Sequence, residues 1–156
     1  MKNSIWNAPF TLEEINRRCK NSLCDHLGIE FTEIGRDFLT AIMPVDKRTI
    51  QPMGVLHGGG AAALAETVGS AAANYCIDQS LFVCVGLDLN INHIKAVKSG
   101  PIKAIAKPFH LGKTTQVWEI QVVNKEGNLI AVSRLTMAIL AKESLRQESG
   151  GVAKKD

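Results

Sequence analysis

Apolar and polar residues alternate with a period of two over four stretches in the second half of the chain. Residues 82–94 set Leu87, Leu89, Ile91 and His93 against Asp88, Asn90 and Asn92. Residues 101–109 set Ile102, Ala104 and Ala106 against Lys103 and Lys107. Residues 114–123 set Gln116, Trp118, Ile120 and Val122 against Val117, Glu119 and Gln121. Residues 129–140 complete the series. The breaks between them fall at Lys98-Ser99-Gly100, at His110-Leu111-Gly112-Lys113 and in the hairpin loop 124–128. Two earlier stretches, 27–34 and 38–45, read as a strand pair around Gly35-Arg36-Asp37, with Pro44 ending the second.

Two segments follow a helical period instead. Thr11-Leu12-Glu13-Glu14 has the form of a capping box, in which a threonine hydroxyl and a glutamate satisfy each other's backbone N–H groups. Behind it, Leu12, Ile15, Cys19 and Leu23 share one face, with Arg17, Arg18 and Lys20 on the other. The second segment is a loop, 46–56, that enters a helix near Gly58 and ends around 77–80. Its Ala-rich run is apolar on all sides, so it is the element able to cover the open face of an antiparallel sheet. The expected order is α-β-β-α-β-β-β-β. The fold class is α+β: an antiparallel sheet wrapped around one long central helix, with an extra N-terminal helix. Residues 1–156 form one domain, with flexible ends at 1–10 and 142–156.

Composition narrows the function classes. At 156 residues the chain can bury a core without metal or disulfide support. A net charge of +3 is too small to argue for nucleic acid and suits a modestly anionic small ligand; with 5% aromatics, no base-stacking platform is evident. Cys19, Cys24, Cys76 and Cys84 form no C-x-x-C pair and complete no zinc spacing. No apolar run reaches the ~20 residues of a membrane span. The N-terminus has no apolar signal core, so the cytoplasm is the expected compartment.

The chemistry-bearing stretch is 51–70. Gly58, Gly59 and Gly60 open the helix, where glycine lets a ligand approach backbone N–H groups that have no helical partner. Glu66 is the one Asp, Glu, His, Lys or Arg between His57 and Asp78, and Ser70 lies one turn further along the same face. A carboxylate among Ala62, Ala63, Ala65 and Gly69 is costly to bury unless a task requires it.

His57-Gly58-Gly59-Gly60 has the look of a lipase oxyanion loop, but the chain carries no G-x-S-x-G elbow. The stretch 51–59 with Glu66 and Ser70, the stretch 86–93, and His110 to Lys113 with Gln116, Trp118, Ser133, Arg134 and Thr136 resemble the hotdog-fold acyl-CoA thioesterases. Within these the chain is similar to the branch acting on aromatic acyl-CoAs, over residues 11–140. One departure is the small Gly60-Ala61-Ala62-Ala63 run, expected to widen the acyl pocket.

The resemblance implies hydrolysis of an acyl-CoA to free acid and coenzyme A, with no cofactor and no metal. It implies Gly58 N–H and Gln51 polarising the carbonyl, Glu66 as general base or nucleophile, and Ser70 orienting Glu66 or the water. His57 positions the thioester or holds the loop. Asn92, His93, Lys95, His110, Gly112, Lys113 and Arg134 are the candidates for coenzyme A, whose phosphates call for cationic and backbone donors. It also implies a homo-oligomer, a dimer of dimers forming a homotetramer, with each active site shared between chains. A hotdog hydratase or dehydratase, a non-catalytic acyl-CoA-binding module and a structural oligomer are the alternatives.

Overall fold

The computed structural model describes residues 4–144. Its elements are α1 Leu12–Arg18, α2 Leu23–Leu27, β1 Glu30–Ile34, β2 Leu39–Val45, α3 Gly58–Tyr75, β3 Phe82–His93, β4 Gly100–Leu111, β5 Thr115–Val123 and β6 Leu129–Ala141. The six strands form one antiparallel sheet in the order β1-β2-β4-β5-β6-β3. Helix α3 lies in its concave side and touches β2, β3, β4, β5 and β6. The expected sheet around one central helix is the observed architecture.

The close fit of helix and sheet depends on small side chains. Ala61, Ala65, Gly69, Ala72 and Ala73 of α3 are buried with Leu64 and Val68. At Gly69, a Cβ would lie 2.7 Å from Leu135 Cδ2 and 3.2 Å from Ile120 Cδ1, so the strands occupy the space of a side chain. Gln116, Trp118, Ile120 and Val122 are buried, as their alternation predicts. The polar atoms in this row are satisfied. Trp118 Nε1 donates to Gln116 Oε1 (2.9 Å), and Gln116 Nε2 donates to Ala73 O (3.4 Å).

Several boundaries differ from those expected. The N-terminal helix is two helices. The Thr11–Glu14 capping box opens α1, which stops at Cys19; Ser22 then caps α2, which ends on the left-handed Gly28 (φ 70°). That second helix displaces the start of β1 from 27 to Glu30. Helix α3 ends at Tyr75 rather than at 77–80. His110 and Leu111 belong to β4, and the break is confined to 112–114. Of the end expected to be flexible, Trp6 Nε1 donates to Gly35 O (2.8 Å) and the Phe10 ring stacks on Tyr75 at 3.8 Å. At the other end, residues 145–156 lie outside the described residues.

All four cysteines are free. Burial pushes the Cys84 thiol up to about 11 and Cys76 up to about 12, which disfavours the reactive thiolate in both.

Candidate active site

The loop between β2 and α3 presents its polar groups through local hydrogen bonds. Gln51 Oε1 accepts from the Met53 N–H (2.6 Å), which leaves its amide nitrogen to donate elsewhere. His57 is the N-cap of α3, and its Nδ1 accepts from the Gly59 N–H (2.8 Å). In the neutral ring the proton is therefore on Nε2. The His57 carbonyl accepts from Gly60 and Ala61. The second to fourth N–H groups of the helix are thus occupied. Gly58 N–H, the first, has no partner among the described residues.

Gly58 faces His93. A Cβ on Gly58 would lie 2.9 Å from His93 Nε2, so the imidazole stands where any side chain at 58 would go. Gly58, His93 and Lys95 line a cavity of about 280 Å³, floored by Leu56, Ala61 and Ile130.

Glu66 occupies a different place. It is half-buried on the side of α3 next to the β3 edge of the sheet, and it makes no hydrogen bond or ion pair among the described residues. Burial raises its carboxyl above the usual range. A Cβ on Gly86 would lie 2.7 Å from Glu66 Oε1; glycine in mid-strand makes room for the carboxylate. Glu66 and Ser70 line a cavity of about 440 Å³ between α3 and the N-terminal helices. Their side chains share no hydrogen bond.

The two cavities have no lining residue in common. Gly58 and Glu66 are eight residues apart on one helix, about 12 Å along its axis. Within a single chain, therefore, the free N–H lines one cavity and the carboxylate another.

The coenzyme A candidates also fall into groups. His93 and Lys95 adjoin Gly58. Asn92 does not join them. Leu89 and Ile91 pack on the core, so Asn92 points to the opposite face, where its amide donates to Asn90 Oδ1 (3.2 Å). Arg134 sits opposite Asn90 and Glu119, exposed. His110 packs over Gly112, beside Lys113 in the β4–β5 turn. This cluster lies towards the other end of the sheet. His93 pairs with Ala131, whereas His110 pairs with Val117, itself opposite Thr136. Five residues of β6 separate the two, about 16 Å.

This combination of loop, helix start and strand has a counterpart in known proteins. The thioesterase superfamily model matches residues 53–131, which take in the capped start of α3, Glu66, Ser70 and the whole of β3. The chain belongs to the thioesterase superfamily. It is a thioester hydrolase of hotdog fold. A crystal structure of a thioesterase from Haemophilus influenzae superposes with a TM-score of 0.86 at 48% identity, covering 88% of this chain and 95% of that one. The 1,4-dihydroxy-2-naphthoyl-CoA hydrolase of Escherichia coli is 44% identical over 136 residues, 87% of this chain and 99% of its own length. The proofreading thioesterase EntH of Cronobacter turicensis is 43% identical, over 87% of this chain and 98% of its own.

Three features around Glu66 lie outside the candidate site residues named from the sequence. Gly86 is legible all the same, because a glycine inside an alternating strand signals a close approach. The wall built by α1 and α2 against Glu66, and the approach of Arg18 to that wall, carry no local signal. Among the described residues no three His, Cys, Asp or Glu side chains are grouped to hold a metal. No helix among them is long and apolar enough to cross a membrane.

Proposed function

We propose that this thioesterase hydrolyses acyl-CoA thioesters, with an aromatic acyl group preferred, at a site assembled from two chains. The observation that carries the reading is the helix start. One N–H, that of Gly58, is left unbonded beside a histidine and a lysine, while its three successors are occupied. Such a donor, aided by the helix dipole, stabilises the oxyanion that forms when a thioester carbonyl is attacked. The Gln51 amide nitrogen is the second donor. His57 acts through its backbone and ring as the cap that holds the Gly-rich turn.

Glu66 supplies the base or nucleophile. Its unpartnered, half-buried carboxylate, made more basic by burial, suits a group that accepts a proton from the attacking water. Ser70 shares its cavity and would position the attacking water. Lys95 and His93 beside Gly58 would meet the coenzyme A moiety, with Lys113 and His110 from the turn. Since Glu66 stands about 12 Å from its own Gly58, the carboxylate comes from a second chain. A two-fold dimer about β3, which is hydrogen-bonded on one edge only, would place each helix start near the other's Glu66. Two such dimers make the expected tetramer.

The aromatic preference rests on the named activity of the Escherichia coli relative. The test is thiol release from a panel of benzoyl-type, naphthoyl and straight-chain acyl-CoAs. Equal or greater kcat/KM on palmitoyl-CoA would refute the aromatic reading. No release from any of the panel would refute the acyl-CoA reading itself.

A further inference from the structure

The cavity around Glu66 is largely apolar along one side, where Ile15, Phe31 and Ala71 face it. Its polar groups are mostly occupied. Ser22 Oγ donates to Cys19 O (2.6 Å), and the Asn74 side chain bonds Ser70 O, Cys84 O and the Cys84 N–H. Arg18 and Tyr75 differ. The Arg18 guanidinium forms no ion pair among the described residues. One of its five donors reaches Gln79 Oε1 (3.2 Å), and the group lies 5.5 Å from the centre of the Tyr75 ring. The Tyr75 hydroxyl is buried and has no hydrogen-bond partner among the described residues.

An apolar cavity with a carboxylate at one position and, at another, a cation that has no ion-pair partner near an unsatisfied hydroxyl is asymmetric. Tyr75 follows Glu66 by nine residues, about 13 Å along α3. The cation therefore lies away from the reacting bond, at the far end of whatever fills the space.

We propose that Arg18, with Tyr75, selects acyl groups that carry an anionic oxygen acceptor, a carboxylate, at the end remote from the thioester. This rests on the reading that Glu66 acts on the acyl-CoA thioester. A guanidinium takes a carboxylate in charge-assisted bonds, and the Tyr75 hydroxyl gains the acceptor it lacks. An acyl group without that acceptor leaves both donors unmatched, which is the stronger form of discrimination. Arg18 touches no reacting atom, so it sets specificity and not the rate of the chemical step.

The test compares two pairs of substrates: benzoyl-CoA with 4-carboxybenzoyl-CoA, and 2-naphthoyl-CoA with 6-carboxy-2-naphthoyl-CoA. In the wild type, the carboxylated member of at least one pair is expected to show about tenfold higher kcat/KM, the low end for a hydrogen bond to a charged group because Arg18 is exposed. Arg18→Met keeps the apolar stem. It should erase that ratio through KM, with the unsubstituted partner held within about twofold. Arg18→Glu should invert the ratio, and Tyr75→Phe should reduce it. Melting curves establish that each variant is folded, and Arg18→Gln serves if the Met variant is not. A wild type that hydrolyses the plain thioesters without preferring either carboxylated one overturns the inference alone. So does a preference that survives Arg18→Met. A wild type inert on all four but active on straight-chain acyl-CoAs overturns the inference together with the aromatic reading, and one inert on straight-chain acyl-CoAs as well overturns the acyl-CoA reading too.

Discussion

A mixture of two inactive variants should regain activity. The perturbations are Gln51→Ala, which removes a carbonyl donor, and Glu66→Ala, which removes the carboxylate. The geometry sets the expectation. A carbonyl oxygen bound by Gly58 N–H lies about 3 Å from that nitrogen. The Glu66 backbone is about 12 Å further along the helix, and its side chain leaning towards the N-terminus recovers only part of that distance. The sheet repeats the separation. Gly58 abuts His93 and Glu66 abuts Gly86, seven residues apart on β3, about 23 Å of strand.

If each site takes Gln51 and Gly58 from one chain and Glu66 from another, a mixed dimer has one intact site and one doubly defective site. Equal amounts after free exchange give half mixed dimers, so about a quarter of the wild-type sites return. Each parent should retain about a hundredth of wild-type activity or less, since a general base or an oxyanion donor contributes about a hundredfold or more. The recovery is therefore at least about 25-fold above background. The assay is thiol release after mixing under mild denaturant and dilution, with mixed dimers counted by native mass spectrometry on differently tagged chains. Mixed dimers present without recovered activity would refute the shared site and the pairing of Gly58 with Glu66 in one reaction.

Gly86→Ala should move Glu66 Oε1 by about half an ångström, because a Cβ at 2.7 Å falls inside contact distance while a glutamate tip gives way cheaply. Activity should fall about tenfold with Tm nearly unchanged; an unchanged rate would detach Gly86 from the site. Gly69→Ala meets Leu135 and Ile120 in the closed core, where overpacking costs about 1–3 kcal/mol. Its Tm should drop by about 2–10 °C, and a variant as stable as the wild type would contradict the close approach of α3 to β5 and β6. Glu66→Gln tests the buried carboxylate through pH. The folded state raises its carboxyl, so ionisation costs stability as pH climbs through the raised value, and the cost vanishes below the ordinary value of 4.5. The variant should melt above the wild type at pH 7 and level with it near pH 4. An equal difference at both would show that ionisation is not the cause.

Much of this architecture is legible in the order of residues. The alternation at Gln116, Trp118, Ile120 and Val122 locates a core row, and the Gly/Ala run locates the helix that the sheet surrounds. Helix α2 escapes the pattern because five residues are too few for a helical period to register. Its markers, Ser22 as cap and Gly28 as stop, are present, but Leu23 also fits the apolar face of α1. His110 and Leu111 read as part of the break because Gly112 and Lys113 punctuate the chain just beyond them. At the site, the capped start and the lone carboxylate are visible as residue types. Their separation along the helix follows from the eight-residue spacing, but the walls that give each its own cavity, α1 and α2 beside Glu66 and residues 93–97 beside Gly58, do not show in it. The helical period places Arg18 on the solvent side of α1, where it is exposed; that it also borders the Glu66 cavity depends on Tyr75, 57 positions away.

The same surfaces that leave the site incomplete are those a second chain would cover. Strand β3 spans twelve residues and pairs with β6 alone, so a full row of backbone donors and acceptors faces outward. Val85 and Leu87 are exposed along it. Beside that edge, the outer face of α3 carries Ala62, Ala63, Thr67 and Ala71, half-buried and too small to protect themselves. Long exposed edges are normally shortened, charged or covered, and here Asp88 is the one charge between Phe82 and Asn92. A two-fold axis at this edge would pair β3 with its copy and set the small faces of the two helices together. Such an interface is self-complementary, so whatever distance it closes from one Gly58 to the other chain's Glu66 it closes twice. Catalysis would then depend on the same contacts that remove the edge. Substitutions at Val85 or Leu87, which lie in neither cavity, should lower activity in step with the loss of dimer, and activity that persists in a demonstrated monomer would break that link.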